Sequence, residues 1–230
     1  LAWPRVAGHF HAPLYTFESI PLAIFGFMAW MAATMGVEAF YSLAELVVLV
    51  VGACIGQYLL FGLVIPLFTG LSPWPFFKKV TTIQLMAFTT SSSKASLATA
   101  MTVMRDDMGV SDSTNNFMMP LGASINMDGT AIYLGICAVF FAQFFGVELT
   151  FDKYLMLVVT CTLGSIGAAG IPSGSIIFMG MVLNSVGLPL EGIGIILAVD
   201  RILDMFRTAI NMTGDAAITI IIDASEGKLD

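Results

Sequence analysis

Three residues able to offer oxygen to a hard cation, Asn126, Asp128 and Thr130, stand inside FMMPLGASINMDGTAIYLGICAVFFAQFF. This run, residues 117–145, is otherwise apolar and long enough to cross a bilayer. Further on, DRILDMFRTAINMTGD sets Asp204, Arg207, Asn211 and Asp215 at offsets of 4, 7, 11 and 15 from Asp200. At about 100° per residue the five fall within an arc of roughly 80°, one polar stripe along one helix. The plainest use of such a stripe is an ion-pair ladder, with Asp204 and Arg207 holding two helices together. That leaves charge over, because three carboxylates face one guanidinium. In apolar surroundings the excess must meet cations or a cationic ligand group. Carboxylate and amide oxygens without His or Cys suit sodium better than zinc or iron.

Composition says what kind of elements must position these groups. Hydrophobic residues make up 57% of the 230-residue chain and charged residues 11%, too few charges to cover the surface of a soluble core of this length. The chain reads as an all-α, multi-pass membrane protein in contact with lipid. The formal charge of −7 gives no footing for nucleic acid, and several of the acidic residues lie inside apolar segments rather than in a tail. Cys54, Cys137 and Cys161 sit in apolar runs without metal-ligand spacing and read as reduced packing residues. Met118, Met119 and Met127 read as packing, His9 and His11 as surface residues, and Trp30 and Trp74 as interfacial anchors. A chain opening on Leu1 and LAWPRVAGHFHAPLY, neither a signal peptide nor the start of a bundle, is expected to be truncated at its N-terminus.

Apolar segments over about 17–38 and 43–70 predict two spanning helices. Residues 80–104 differ: their centre is a Ser/Thr run, TTSSSK, and basic Lys78, Lys79 and Arg105 flank both ends. Positive flanks stay cytoplasmic, so the segment enters and leaves on one side as a re-entrant hairpin. A broken spanning helix over 117–145 follows. Residues 154–185 repeat the hairpin design around AAGIPSGS, where Gly and Pro interrupt two apolar arms. An amphipathic helix over 190–222 crosses back. The NMDGT signature follows the first tip by 35 residues, Ser91 to Asn126, and NMTGD follows the second by 38, Ser173 to Asn211. Two such units entering from opposite faces form an inverted repeat, the architecture of secondary transporters. Breaks near Gly122, Gly129 and Gly214 are expected to free backbone carbonyls, and the two tips to offer half-helix ends and hydroxyls to an anionic group.

The ordered motifs SSS, NMDGT, GIPSG and DRILDMFRTAINMTGD resemble the sodium-coupled glutamate/aspartate transporter family over nearly the whole chain from about residue 20. The resemblance implies an elevator-type symporter of an acidic amino acid, aspartate or glutamate, in the cell (inner) membrane, homotrimeric when full length. Residues 1–40 would end a scaffold region and 41–230 would form the transport domain. Carried over by motif, Asp204 would accept the substrate amino group and Arg207 would hold its side-chain carboxylate. Ser92, Thr130, Ile171 and Asn211 would contact the rest. For Na+, the resemblance implies Gly122, Asn126, Asn211 and Asp215 at one site, Met127, Ser165, Ile166 and Ala168 at a second, and Asn126 with Asp128 at a third. Helices N-terminal to this chain would help complete the third. Two departures stand out. Relatives often carry an extra Arg where this chain has Thr90 or Met205, with Lys94 and Arg201 as candidates to replace it. Leu134 also stands where animal relatives have a proton-carrying Glu, so proton countertransport by that route is not expected.

Other readings of the same residues are a symporter of neutral amino acids or C4-dicarboxylates, a channel, and an intramembrane protease using Ser93 with Lys94 or Asp128 with Asp215. Adjacent residues in an extended tip point apart, and a channel leaves two converging tips unexplained. The glycine-rich second tip is expected to be the gate facing outside, and the glycine-free first tip, whose hydroxyls can bond nearby backbone, the stiffer one.

Overall fold

In the computed structural model, residues 25, 26, 29, 32, 33, 36, 38–168 and 170–229 are described. Most of the expected 17–38 helix, with His9, His11 and Trp30, lies outside them. Eight helices follow among the described residues: α1 (Glu38–Thr69), α2 (Pro73–Thr90), α3 (Ser93–Asp106), α4 (Asp112–Ile125), α5 (Asp128–Phe144), α6 (Phe151–Gly167), α7 (Ser175–Ser185) and α8 (Gly192–Ser225).

Local chemistry sets most of the ends. Helix α1 stops at Gly70, whose φ of +70° lets its N–H return to Pro66 O. Pro73 opens α2, where its missing donor costs nothing. The α2–α3 turn takes two residues: Ser91 adopts the left-handed conformation at φ +51°, and Ser92 caps α3 by accepting the Ala95 N–H. Ser111 caps α4 in the same way, accepting from Thr114. Between α6 and α7, residues 168 and 170–174 are not helical, a tip longer than the first.

Helix α8 is the axis. It packs against α1, α2, α4 and α5, and its wholly buried side chains include Arg207, Met212 and Thr213. Gln84 of α2 donates to Thr213 at 3.0 Å, and Asp223 near the end of α8 accepts from the N–H and hydroxyl of Ser111. Outward faces of α1 (Val48, Leu59, Leu63) and α6 (Val158, Leu163) are apolar and exposed, as befits segments whose solvent is not water.

Several expectations shift. The 43–70 helix starts earlier, at Glu38; the arms of the first tip run over 73–106 rather than 80–104, and those of the second start at Phe151 and end at Ser185. By length and composition only Phe40–Thr69 and Asp112–Phe144 qualify as spans among the described residues; α8 is long enough but carries too many charges. The expected break near Gly214 does not occur, because α8 runs unbroken through it, while the one expected near Gly122 and Gly129 falls between them at Asn126–Met127, with Gly122 inside α4 and Gly129 inside α5. Those glycines serve close approach instead. A Cβ on Gly129 would lie 2.7 Å from the Arg207 backbone oxygen, so α5 and α8 touch backbone to backbone.

That contact yields a paired test. Gly129→Ala should cost about 1–3 kcal/mol, because backbone cannot step aside as a side chain can. Gly135→Ala, in the same helix with nothing within 4 Å of its new Cβ, should be neutral or stabilising by up to about 1 kcal/mol. Thermal unfolding of both variants in detergent reads the difference, and equal melting temperatures would count against the backbone contact.

Candidate functional site

Three interruptions of helix meet at one place. Ser92 of the first tip donates its hydroxyl to Gly170 O of the second at 3.1 Å. Gly170, at φ +63°, packs so tightly that a Cβ there would lie 3.0 Å from Ala123 O and 3.1 Å from Met127 Cε and Ser93 Cβ. Each tip thus rests on the other and on the α4–α5 break. Beneath them, Thr130, Ile171, Asp204 and Asn211 line one cleft together with Met127 and Ala168. Its free volume is about 10 Å³, room for roughly one water, so a larger ligand enters only when a tip moves.

The stripe on α8 is largely partnered. Asp204 Oδ1 accepts from Arg207 at 2.8 Å, and its Oδ2 accepts the Ser173 N–H at 2.8 Å, which ties the second tip to α8. Asn211 takes the Gly129 N–H at 2.8 Å and reaches Thr130 Oγ1 at 3.4 Å, bracing the start of α5. Arg207 does not line the cleft. Its guanidinium is wholly buried behind Asp204, bonded to Asp200 at 3.0 Å as well, and lies 3.8 Å over the Tyr133 ring. Its Nε and Nη1 have no hydrogen-bond partner, donors available to a carboxylate that reached them.

A second group lies one turn further along α8. Asp215, buried, accepts the Asn126 amide at 2.9 Å on Oδ1, while Oδ2 has no partner. Gly122 leaves the space this needs, since a Cβ there would lie 2.6 Å from Asp215 Oδ1. A buried carboxylate with an unused oxygen, an amide and a glycine-cleared wall is a donor set that fits sodium. Asp128 begins α5 beside it and accepts the Gln57 amide at 3.2 Å. Of the remaining expected carbonyl donors, Ser165 is buried at the end of α6 and Ile166 turns its side chain outward, 41% exposed. Ser93 is buried and Lys94 exposed, so the two do not meet. Neither Lys94 nor Arg201, both exposed, joins the ion pairs of Arg207.

The sequence reading passed over two residues that the fold brings in, Tyr133 and Gln57, and gave a third, Asp200, no partner of its own. Tyr133 donates its hydroxyl to Asp200 at 2.9 Å, and Asp200, recognised only as part of the stripe, anchors Arg207. The signal was there: a Tyr deep in an apolar run needs a partner for its hydroxyl. Gln57 is the lone amide in the apolar run of α1.

The model of the Sodium:dicarboxylate symporter family matches residues 17–225. The chain belongs to this family. It is 36% identical over 210 residues to the Proton/glutamate-aspartate symporter of Escherichia coli (strain K12), covering 91% of this chain and 48% of that protein. It is 40% identical over 186 residues to human Excitatory amino acid transporter 1, covering 81% and 34%. It is 39% identical over 180 residues to Neutral amino acid transporter B(0) of Mus musculus, covering 78% and 32%. The chain thus spans about a third to a half of the length of these curated relatives. Membership of the sodium:dicarboxylate symporter family makes it a membrane protein.

The Ser173–Asp204 bond can be tested directly. In Asp204→Ala the Ser173 N–H loses a charged acceptor, and amide exchange over residues 171–175 should rise about tenfold or more. Exchange over 93–96, where Ser92 provides the cap, should stay within about twofold of wild type. Hydrogen-exchange mass spectrometry reads both segments in one experiment, and a uniform rise would mean general loosening rather than release of this tip.

Proposed function

We propose that the chain is the transport domain of a secondary active transporter, a symporter that couples uptake of an acidic amino acid, aspartate or glutamate, to Na+. The observation that carries the reading is the closed cleft between two helix-interrupting tips, lined by Asp204 with Arg207 paired to it from behind. An amino acid presents the matching groups. Its ammonium takes the place of the Ser173 N–H on Asp204, and its side-chain carboxylate meets the unpaired guanidinium nitrogens of Arg207. The Ser92 tip, Thr130, Asn211 and the backbone at Ile171 receive the α-carboxylate. Sodium enters as co-transported ion on the oxygens of Asp215, Asn126, Asn211 and Gly122, on those of Asp128 with Asn126, and on carbonyls of Met127, Ser165, Ile166 and Ala168. The relatives named for glutamate, aspartate and excitatory amino acids support this class of substrate.

The same reading takes α2–α3 and α6–α7 as re-entrant hairpins of an inverted repeat, moving with α1, α4, α5 and α8 as one elevator body against a trimeric scaffold. A multi-pass position in the cell (inner) membrane goes with it. The longer second tip is the gate, because among the described residues a single hydrogen bond, from Ser173, ties it to α8. A second reading, uptake of neutral amino acids, has one observation in its favour: the mouse relative at 39% identity is named for them. In both, the machinery moves a solute and makes no covalent bond.

Uptake of labelled aspartate into proteoliposomes, against glutamate, serine and succinate as competitors, separates the two. Wild type should accumulate aspartate only under an inward sodium gradient, with serine a weak competitor. Arg207→Cys should lose at least tenfold in apparent aspartate affinity, since a bidentate carboxylate partner worth more than about 1.4 kcal/mol is gone, and should admit serine. Aspartate affinity unchanged in Arg207→Cys would overturn the assignment of substrate to that guanidinium.

A further inference from the structure

Helix α1 is apolar along almost its whole length, yet it carries Gln57 partway along a stretch long enough to span a bilayer. An amide placed there costs free energy unless partnered. Its partner is Asp128: Gln57 Nε2 donates to Oδ2 at 3.2 Å, across the α1–α5 interface. The bond is neutral-to-charged, so it orients the carboxylate without cancelling its charge, and no Lys or Arg forms an ion pair with Asp128 among the described residues.

The surroundings of that carboxylate are built closely. A Cβ on Gly214 would lie 2.7 Å from Asn126 Nδ2, 3.0 Å from Asp128 Oδ2 and 3.1 Å from Phe61 Cζ. Asn126 and Asp128 therefore converge over bare backbone of α8. Phe61, one turn beyond Gln57 and buried, closes the same corner from α1. With Oδ2 of Asp128 engaged by Gln57, Oδ1 remains for another partner, and the Asn126 amide is already committed to Asp215.

We propose that Gln57 is a positioning residue for a cation held by Asp128: its amide fixes the carboxylate's rotation and leaves the charge for the ion to neutralise. This rests on the reading that Asp128 serves a sodium site. A Lys at position 57 would offer the carboxylate a fixed charge and compete with the ion; a Leu would leave the carboxylate free to turn. Residues of this kind, which hold a ligand rather than the metal, typically govern about 10- to 100-fold in affinity.

The test uses sodium itself, on the full-length transporter in detergent, with melting temperature followed over a sodium series balanced by choline. A ligand that binds the folded state stabilises it by RT ln(1 + [L]/Kd), so the melting temperature climbs with the logarithm of sodium once sodium exceeds the dissociation constant. The onset of that climb marks the wild-type dissociation constant, and Gln57→Leu should shift the onset about tenfold to higher sodium, while its melting temperature in choline alone stays at the wild-type value. Gln57→Lys should flatten the dependence and lower the ratio of sodium to substrate carried in proteoliposomes. A sodium onset in Gln57→Leu within twofold of wild type overturns the proposal, whether or not the choline melting temperature falls, since that pattern marks a packing role. A wild-type protein without any sodium-dependent rise would instead overturn the parent reading.

Discussion

The wholly buried guanidinium of Arg207 is the constraint around which the rest is arranged. A charge without solvent is tolerated only if opposite charge surrounds it, and here Asp200, Asp204 and the face of Tyr133 do so. The carboxylates belong to α8 itself and the ring to α5, so it is the Tyr133 ring over Arg207 and its hydroxyl on Asp200 that fix how α5 lies on α8. Asp204 in turn spends its second oxygen on the Ser173 N–H, which links the position of a surface-reaching tip to the deepest charge in the fold. A ligand that competes for either bond acts on both. Cleft, tip and guanidinium therefore form one mechanical unit.

The second constraint is backbone satisfaction. Where apolar surroundings replace water, an interrupted helix must find partners for its freed N–H and C=O groups inside the protein. The three interruptions solve this by meeting: Ser92 serves Gly170, Asn211 serves Gly129 and Asp204 serves Ser173. Glycine makes the meeting possible, because Gly129 admits the backbone of α8 and Gly122 admits the Asp215 carboxylate. The binding groups are a by-product of the same geometry, since a polar break that is buried among protein atoms is also a polar concavity.

Charge accounting along α8 separates two kinds of carboxylate. Asp200 and Asp204 share the single positive charge of Arg207. Asp128 and Asp215 have amide partners only, Gln57 and Asn126, which orient a carboxylate and leave its charge unmatched. In the proposed function the first pair goes with organic ligand chemistry and the second with inorganic cations, a division that follows from which residue types sit opposite them. Family membership agrees with that division, both solutes being implicit in a sodium:dicarboxylate symporter.

The sequence by itself determined the helical class, the positions of both tips and the stripe from Asp200 to Asp215. Periodicity, Gly/Pro placement and the cost of burying charge are local properties readable from one strand of text. Of the substrate contacts expected from the motifs, Thr130, Ile171, Asp204 and Asn211 line the cleft, while Arg207 stands behind it. What it misplaced were effects of distance. Gly214 looked like a helix breaker because a glycine's need for room is invisible until the element crossing it is known. Tyr133 and Gln57 looked like passengers because their partners, Asp200 and Asp128, lie 67 and 71 residues away along the chain. Only the tertiary structure decided that Arg207 turns away from the cleft, because its orientation depends on where α5 presents an aromatic ring relative to two carboxylates on α8.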